Sequence, residues 1–255
     1  MFLAMLVVIS AFTGCLSDDE EDAADSDPGE DGGYEYATNV DSHRLLVEDV
    51  CDIKALAEEH KWSEIETIYK DGVHSDKGSS MRTLQGFASA EGKMHPYDDY
   101  YNQTGSIDAF VMSAIQGTGQ FEGKSDAVRE QAVEKGIQNV LLTAYVIHEL
   151  NTAIDKETKG TANAVHNWDE GWAFFHGSSP GCGPYATGGK RAGNFNTANP
   201  SLAILEEMKA GRDVLNNDGI TTEQEHADAV VKNLVITYSQ AAIRYASKMT
   251  TDETL

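Results

Sequence analysis

Residues 162–176 read ANAVHNWDEGWAFFH. At the 100° per residue of an α-helix, this stretch separates into two faces of different chemistry. One face carries the aromatic side chains Trp168, Trp172 and Phe175. The opposite face carries His166, Asp169, Glu170 and Ala173. The stretch therefore predicts a helix that packs aromatic rings into a core and presents an imidazole and two carboxylates elsewhere.

Apolar residues recur at helical spacing through most of the chain after residue 40, and strict alternation is scarce. Ser125, and the capping-box pair Thr222 and Glu225, mark two of the helix starts. The predicted helices span residues 41–60, 62–70, 79–90, 106–117, 125–157, 162–176, 200–216 and 221–249. The pattern predicts an all-α fold, a single-domain helical bundle of about eight helices.

Residues 177–199 are predicted to be a long Gly-rich loop, because two prolines stand among the glycines. Loops of this length without structure of their own often carry function. Within it, residues 188–193 read GGKRAG and bring Lys190 and Arg191 together with open backbone amides. This is a candidate cradle for an anion; the alternative is a solvated surface turn.

Length and charge limit the function classes. Residues 34–255 are enough for one domain with a sizeable core. The formal net charge of the chain is -23. Because nucleic acids and anionic lipid surfaces repel such a protein, both are excluded as partners. An acidic surface suits a saline medium or a cation ligand.

The N-terminus predicts export. Residues 1–14 form a short apolar run, too short to span a bilayer, that ends in small residues before Cys15. This is typical of a lipoprotein signal peptide cleaved before Cys15, whose thiol then carries a lipid; a plain secretory signal is the alternative. Residues 15–33 hold nine acidic residues and no basic one, which predicts a disordered, extended tether. We therefore expect a membrane-anchored lipoprotein at the cell surface or in the periplasm.

Assigning Cys15 to lipid leaves an even pair, Cys51 and Cys182. In an oxidising compartment the two are expected to form a disulfide between the first helix and the Gly-rich segment. Two unrelated buried thiols are the alternative.

Two clusters have the residue types of a metal site. On the 162–176 helix, His166, Asp169 and Glu170 are a workable set of ligands, and a solvated polar face is the alternative. On the 125–157 helix one face carries Tyr145, His148, Glu149 and Thr152. Tyr145 adds a phenol suited to ferric iron once deprotonated. A zinc-protease His-Glu-x-x-His motif is rejected, because its second histidine is replaced by Thr152.

Two further segments carry candidate ligands. Arg244 stands in a largely apolar helix and needs an anionic partner, which Glu149, Glu170 or a bound small anion would supply. Residues 97–101 read YDDYY beside His95, which suits ferric iron or an ordinary aromatic-lined turn. The chain has no phosphate-binding loop, nucleophile elbow or Cys-x-x-Cys pair, so we do not expect an enzyme.

Five strings, in order along the chain, resemble the low-iron-inducible periplasmic proteins of algae, the group that includes the phytotransferrins. They are 68–72 IYKDG, 82–87 RTLQGF, 166–175 HNWDEGWAFF, 190–195 KRAGNF and 240–246 QAAIRYA. The resemblance places His166, Asp169 and Glu170 in one family motif, and Arg191 and Arg244 in two others. This chain departs from the family in having one copy of a unit that algal members often repeat, and in its lipid anchor.

The resemblance implies a protein that captures iron for uptake, as Fe(III) with carbonate as a synergistic anion. The residue types also favour iron binding. Carboxylate and phenolate oxygens suit Fe(III), and an anion held by arginine would offset part of the charge of the ion. The leading hypothesis is a surface iron-binding protein that passes Fe(III) to an uptake receptor or transporter. The alternatives are a module for another divalent cation or an organic solute, a scaffold or adhesion lipoprotein without a site, and an extracytoplasmic metal-dependent hydrolase.

Overall fold

The computed structural model describes residues 30–93, 96–216 and 222–251. Over these ranges the regular structure is helical, apart from one isolated antiparallel bridge between Asp76 and Met81. The predicted all-α fold is confirmed. The α-helices are α1 (Asp41–Arg44), α2 (Leu46–Glu58), α3 (Trp62–Asp71), α4 (Leu84–Ala88), α5 (Pro96–Tyr101), α6 (Ser106–Gln116), α7 (Asp126–Lys135), α8 (Leu142–Thr158), α9 (Ala164–Phe175), α10 (Pro184–Phe195), α11 (Pro200–Asn216) and α12 (Glu223–Thr251).

Several predicted boundaries need correction. The predicted helix 41–60 is divided into α1 and α2 at Leu45, and the predicted helix 79–90 shortens to α4. The Thr83 hydroxyl accepts the backbone N–H of Gly86 and so fixes where α4 begins. Residues 96–101, read as ligands or an aromatic turn, form the short helix α5.

The long predicted helix 125–157 is continuous, but a π-helical stretch, Gly136–Leu141, joins α7 to α8. Two side-chain amides of this wider turn form hydrogen bonds to another segment. The amide of Gln138 donates to the carbonyl of Gly183 at 2.9 Å, and Asn139 Oδ1 accepts from the hydroxyl of Thr187 at 2.7 Å. A π-helical turn holds more residues than an α-helical turn. The sequence does not predict it here, because the spacing of apolar residues barely changes across one π turn.

The prediction of a long loop over residues 177–199 is wrong in its middle, where α10 forms. Pro184 stands in the first turn of α10, and Asn196 ends the helix in a left-handed conformation with φ of 50°. Gly188 serves close packing, since a Cβ there would lie 2.1 Å from the Ser201 Oγ. The predicted anion cradle is therefore a helix, and its amides lie within helical turns.

The predicted disulfide is confirmed. Cys51 of α2 is bonded to Cys182 with their Cα atoms 5.4 Å apart, across a sequence separation of 131 residues. Closing a loop of that length contributes about 4 to 5 kcal/mol on the chain-entropy model.

Two helical hairpins, α8–α9 and α11–α12, form the most extensive contacts of the bundle and pack on each other through α9 and α11. The indole N–H of Trp168 donates to the carbonyl of Met208 at 2.8 Å. A Cβ at Gly211 would lie 2.1 Å from the Trp168 ring, so glycine is required there. This contact buries α9 deeply between its neighbours.

Some predictions lie outside the described residues: the signal peptide 1–14, Cys15, most of the tether 15–33, and His95. Among the helices that are described, none is both long and apolar enough to cross a membrane.

Candidate functional site

Helix α9 is buried on nearly every side. Trp168 and Trp172 are fully buried, and so is Asp169, while Glu170 keeps only 8% of its surface exposed. Buried carboxylates are rare unless they are partnered or neutralised. The two predicted faces of this helix are thus an aromatic one and a charged one, and both point into the protein.

The carboxylate of Asp169 is occupied by an N-terminal segment, residues 31–40, which we call the strap. The phenol of Tyr34 donates to Asp169 Oδ1 at 2.8 Å. The backbone N–H and the hydroxyl of Thr38 both donate to Oδ2, each at 2.8 Å. Burial raises the pKa of Asp169, while these hydrogen bonds act to lower it. Asp169 therefore fastens the strap to α9, and its oxygens are already engaged.

The strap is fastened at its start as well. The indole N–H of Trp172 donates to the carbonyl of Asp31 at 3.1 Å, and the carboxylate of Asp31 is ion-paired with Arg44. Arg212 of α11 lies over the Tyr34 ring at 5.0 Å from its centroid. The strap is thus part of the wall around α9.

Thr38 also orients His166. A hydroxyl has one proton, and Thr38 gives it to Asp169, so its oxygen accepts from His166 Nδ1–H across 3.0 Å. In the neutral imidazole this leaves a lone pair on Nε2, which lies 3.1 Å from Glu170 Oε1. A lone pair and a carboxylate oxygen repel at that distance unless a proton or a cation lies between them.

His43 of α1 approaches the same oxygen, with its Nδ1 3.3 Å from Glu170 Oε1. Within the described part of the chain, this buried nitrogen has no hydrogen-bond partner of acceptable geometry. Burial, together with the nearby charges of Arg82, His166 and Lys77, lowers the pKa of His43 to about 3. The imidazole is therefore neutral at ordinary pH, and two histidines converge on one carboxylate oxygen.

Asn167 joins this group to α8. Its Nδ2 donates to Glu149 Oε2 at 2.5 Å and to Glu170 Oε2 at 3.1 Å, and its Oδ1 accepts from Lys156 at 2.5 Å. His148 lies beside Glu149, with Nε2 and Oε1 3.8 Å apart. The two clusters predicted on separate helices therefore form one group around the pair Glu149 and Glu170.

The pKa values of both members of this pair, Glu149 and Glu170, are raised. Burial first, and then the neighbouring charge of Glu170, raises the pKa of Glu149 to about 7. Burial also raises the pKa of Glu170. Two carboxyl groups in one buried site cannot both ionise without a compensating positive charge.

Tyr145 stands one helical turn before Glu149 on α8. Its hydroxyl donates to the carbonyl of Phe87 at 2.8 Å, and burial, followed by the charges of Glu149 and Asp98, raises its pKa. The phenol is kept protonated and its proton is used. Tyr145 accordingly serves as a packing and hydrogen-bonding residue beside the site, in contact with the His148 ring.

The predicted anion-binding residues are on other helices. Lys190 and Arg191 lie on α10 and Arg244 lies on α12, whereas Glu149 lies on α8 and Glu170 on α9. The arginine whose charge acts on both Glu170 and His43 is Arg82, held by a bond from its Nε to the Ser42 Oγ at 2.9 Å.

Sequence reasoning missed His43 and Arg82. Arg82 does stand in a family-like string, RTLQGF, so a signal was present. His43 lies more than a hundred residues before Glu170, and no spacing in the sequence relates the two. Only the packing of α1 on α9 brings it to the site.

We call His43, His166, Glu149 and Glu170 the imidazole–carboxylate centre. Over the described ranges, no three or more His, Cys, Asp or Glu side chains stand ready to hold a metal ion. The imidazoles and carboxylates contact one another instead, so a metal would have to replace the contacts of both histidines with Glu170. The donor types fit, since two imidazoles with carboxylate are a common ligand set for iron.

One comparison with known proteins identifies a family. A family model described as "low iron-inducible periplasmic protein" matches residues 11–249, nearly the whole chain. None of the curated proteins and none of the solved structures matches the chain significantly.

Proposed function

The chain belongs to the low iron-inducible periplasmic protein family, and from this premise we propose that it is an extracytoplasmic protein that binds an iron ion at the imidazole–carboxylate centre and assists its uptake. It acts as a binding protein and not as an enzyme. Iron is its cargo, so binding has to be reversible.

One observation carries the proposal: Glu170 Oε1 lies 3.1 Å from His166 Nε2 and 3.3 Å from His43 Nδ1, with Glu149 linked to it through Asn167. The neutral His43 ring, the His166 ring and two buried carboxyl groups gather an excess of lone pairs at one point. A cation relieves that excess, since it attracts the lone pairs and offsets the buried negative charge.

The donor set determines what kind of iron site this is. The Glu149 and Glu170 carboxylates supply hard oxygen atoms for Fe(III), and the imidazoles suit iron in general. The proposed site has no phenolate ligand, because Tyr145 keeps its proton and donates a hydrogen bond to the carbonyl of Phe87. We therefore propose Fe(III) binding without a phenolate-to-iron charge-transfer band.

Carbonate, the synergistic anion that the family resemblance implies, would lie beside Arg82. This arginine acts on both Glu170 and His43, and it presents the planar fork that suits a planar anion. In this proposal Arg82 takes the role first assigned to Lys190, Arg191 and Arg244.

The location follows from the N-terminus. A lipid on Cys15 and an acidic tether hold the domain near a membrane, where an uptake receptor or transporter collects the iron. Protonation of the carboxylates and imidazoles releases the ion, so binding weakens in acid.

The test is a calorimetric titration of the chelator-treated protein with ferric nitrilotriacetate, with and without bicarbonate. Glu170→Gln and His43→Gln are each expected to weaken Fe(III) binding at least tenfold. His226→Gln is the matched control, because His226 forms a comparable pair with Glu207 at 2.7 Å, away from the centre. Its affinity should equal that of the wild type.

Three results would overturn the proposal: no Fe(III) binding beyond that of the chelate alone, equal loss in all three variants, or a strong visible charge-transfer band. Parallel titrations with Fe(II) and Zn(II) decide between iron and another divalent cation, since the ligand set also suits these ions. Tighter Zn(II) binding would favour the divalent-cation alternative.

Thr38 gives a second test. Thr38→Val removes the hydroxyl that fixes the His166 tautomer and leaves the ring in place. Iron affinity is expected to fall about tenfold, as for other residues that orient metal ligands. Thr38→Ser, which keeps the hydroxyl, should restore it.

A further inference from the structure

A second concave site lies away from the imidazole–carboxylate centre, between α5, α6 and the short turn Gly119–Phe121. Its volume is about 430 Å³. This is within the usual range for small-molecule sites. The side chains and backbone that line it belong to Tyr97, Tyr101, Gln103, Ser106, Ile107, Ala109, Phe110, Ser113, Gln120 and Val140.

Among the described residues, the lining contains no charged side chain, although the chain has 42 acidic residues. The two acids closest in sequence are engaged elsewhere. Asp98 accepts from the backbone N–H of Gly105 at 2.9 Å and of Ser106 at 2.8 Å, and Asp108 accepts from the hydroxyl of Tyr69 at 3.1 Å. The site is therefore neutral inside a strongly acidic protein, which disfavours both cationic and anionic ligands.

The aromatic side chains of the pocket are exposed but held in place. Tyr97, Tyr101 and Phe110 are 36%, 63% and 37% exposed, which is unusual for rings of this size. Tyr101 packs edge-on against Tyr100, with ring centroids 5.0 Å apart, and Phe110 packs edge-on against Phe121 at 5.4 Å. Rings that are fixed before binding lose little entropy when a ligand stacks on them.

Phe110 has its orientation because of the π-helical stretch. A Cβ at Gly136 would lie 3.1 Å from the Phe110 ring, so a larger residue there would push the ring. Val140, one π turn later, forms part of the pocket wall. π-Helical turns are retained disproportionately at functional sites.

The polar groups of the lining define the ligand further. Gln103, Gln120 and the two serines offer neutral donors and acceptors. Burial, and then the neighbouring Tyr101, raises the pKa of Tyr97, so its phenol stays a neutral donor. We propose that this pocket binds an uncharged aromatic molecule of one or two rings that carries hydroxyl or amide groups. The proposal is independent of iron binding.

The probes are 4-hydroxybenzamide and 4-hydroxybenzoate, which match in size and differ in charge at pH 7. Saturation-transfer NMR and calorimetry on the full chain measure both. The neutral amide is expected to bind at least tenfold more tightly than the carboxylate, because the pocket has no cation to partner an anion. Equal affinity for the two probes, or no detectable binding of the amide, would overturn the proposal.

Two variants tie the binding to this pocket. Ala109→Trp fills the space from an exposed position and should abolish amide binding while the circular dichroism spectrum is unchanged. Leu202→Trp is the matched control, since Leu202 is 41% exposed on α11 and is absent from the lining; it should retain binding to within threefold. Binding that survives Ala109→Trp would place the site elsewhere and sink the assignment.

Discussion

Residues 97–101, YDDYY, and residues 166–170, HNWDE, are both short strings that mix acids with aromatic or imidazole rings, and in sequence each is a candidate for a ligand site. The structure uses them in opposite ways. In the first string, the aromatic rings are exposed and the acid Asp98 turns back to hold its own loop. In the second string, Trp168 and both acids are buried, while the His166 side chain is 37% exposed.

The comparison is sharpest for Asp98 and Asp169, because each carboxylate accepts three hydrogen bonds. Asp98 accepts from Gly105 N, Ser106 N and Ser106 Oγ, all within eight residues of itself. Asp169 accepts from Tyr34 and Thr38, more than 130 residues away. The same chemistry thus ends a local turn in one case and holds the tertiary structure together in the other, and depth of burial makes the difference.

Removing Asp169 should have the largest effect. Asp169→Ala leaves the phenol of Tyr34 and the N–H of Thr38 buried without partners, and it releases the strap. We expect a loss of about 3 kcal/mol in the free energy of unfolding, measured by urea denaturation. A loss below about 1 kcal/mol would mean that the strap contributes little to the fold.

Glu149→Gln tests the excess charge of the buried site. The folded-state pKa of Glu149 is about 7, against an ordinary value of 4.5. Because the folded protein then binds the proton more tightly than the unfolded chain, stability is lost as pH rises from about 4.5 to 7. Metal-free Glu149→Gln should be more stable than the wild type at pH 8, by on the order of 2 kcal/mol, and show no such gain at pH 4.

His43 contributes to the pH dependence of stability in the opposite direction, so it checks the sign of the Glu149 effect. Its folded-state pKa is about 3, below the ordinary 6.5, so stability falls as pH drops from about 6.5 to 3. The difference between wild type and Glu149→Gln cancels this contribution. A stability difference independent of pH would contradict the raised pKa of Glu149.

Asp98→Ala is the surface counterpart of Asp169→Ala and should cost about 1 kcal/mol, as for a lost helix cap, because water replaces the carboxylate at the loop. Thermal and urea unfolding would measure it. If Asp98→Ala costs as much as Asp169→Ala, burial is not what separates the two strings.

The smallest effect is expected at Tyr100. Its ring is 81% exposed, so Tyr100→Ser should change the free energy of unfolding by less than about 0.5 kcal/mol. Trp168→Ser in the other string is the contrasting change, since that ring is fully buried. A large effect at Tyr100 would show that the exposed rings stabilise the fold and are not reserved for a ligand.

Much of the fold could be predicted from the sequence. The helical spacing of apolar residues predicted the all-α class. It missed α10, because the glycines of residues 177–199 were interpreted as flexible, whereas Gly188 allows close packing against Ser201. Removing Cys15 from the cysteine count gave the Cys51 to Cys182 bond. Helical periodicity placed His166 with Glu170 and His148 with Glu149, each pair on one face, and Asn167 links the two carboxylates in the structure.

The sequence by itself determined the all-α class, the disulfide, the family and the residue types of the site, because these depend on spacing and composition along the chain. Only the tertiary structure decided which side chains act together. It brought His43 to Glu170, bonded Asp169 to the strap and directed the hydroxyl of Tyr145 to the carbonyl of Phe87. The physical reason is that lone pairs and protons are shared between helices distant in the chain, and their pairing depends on packing.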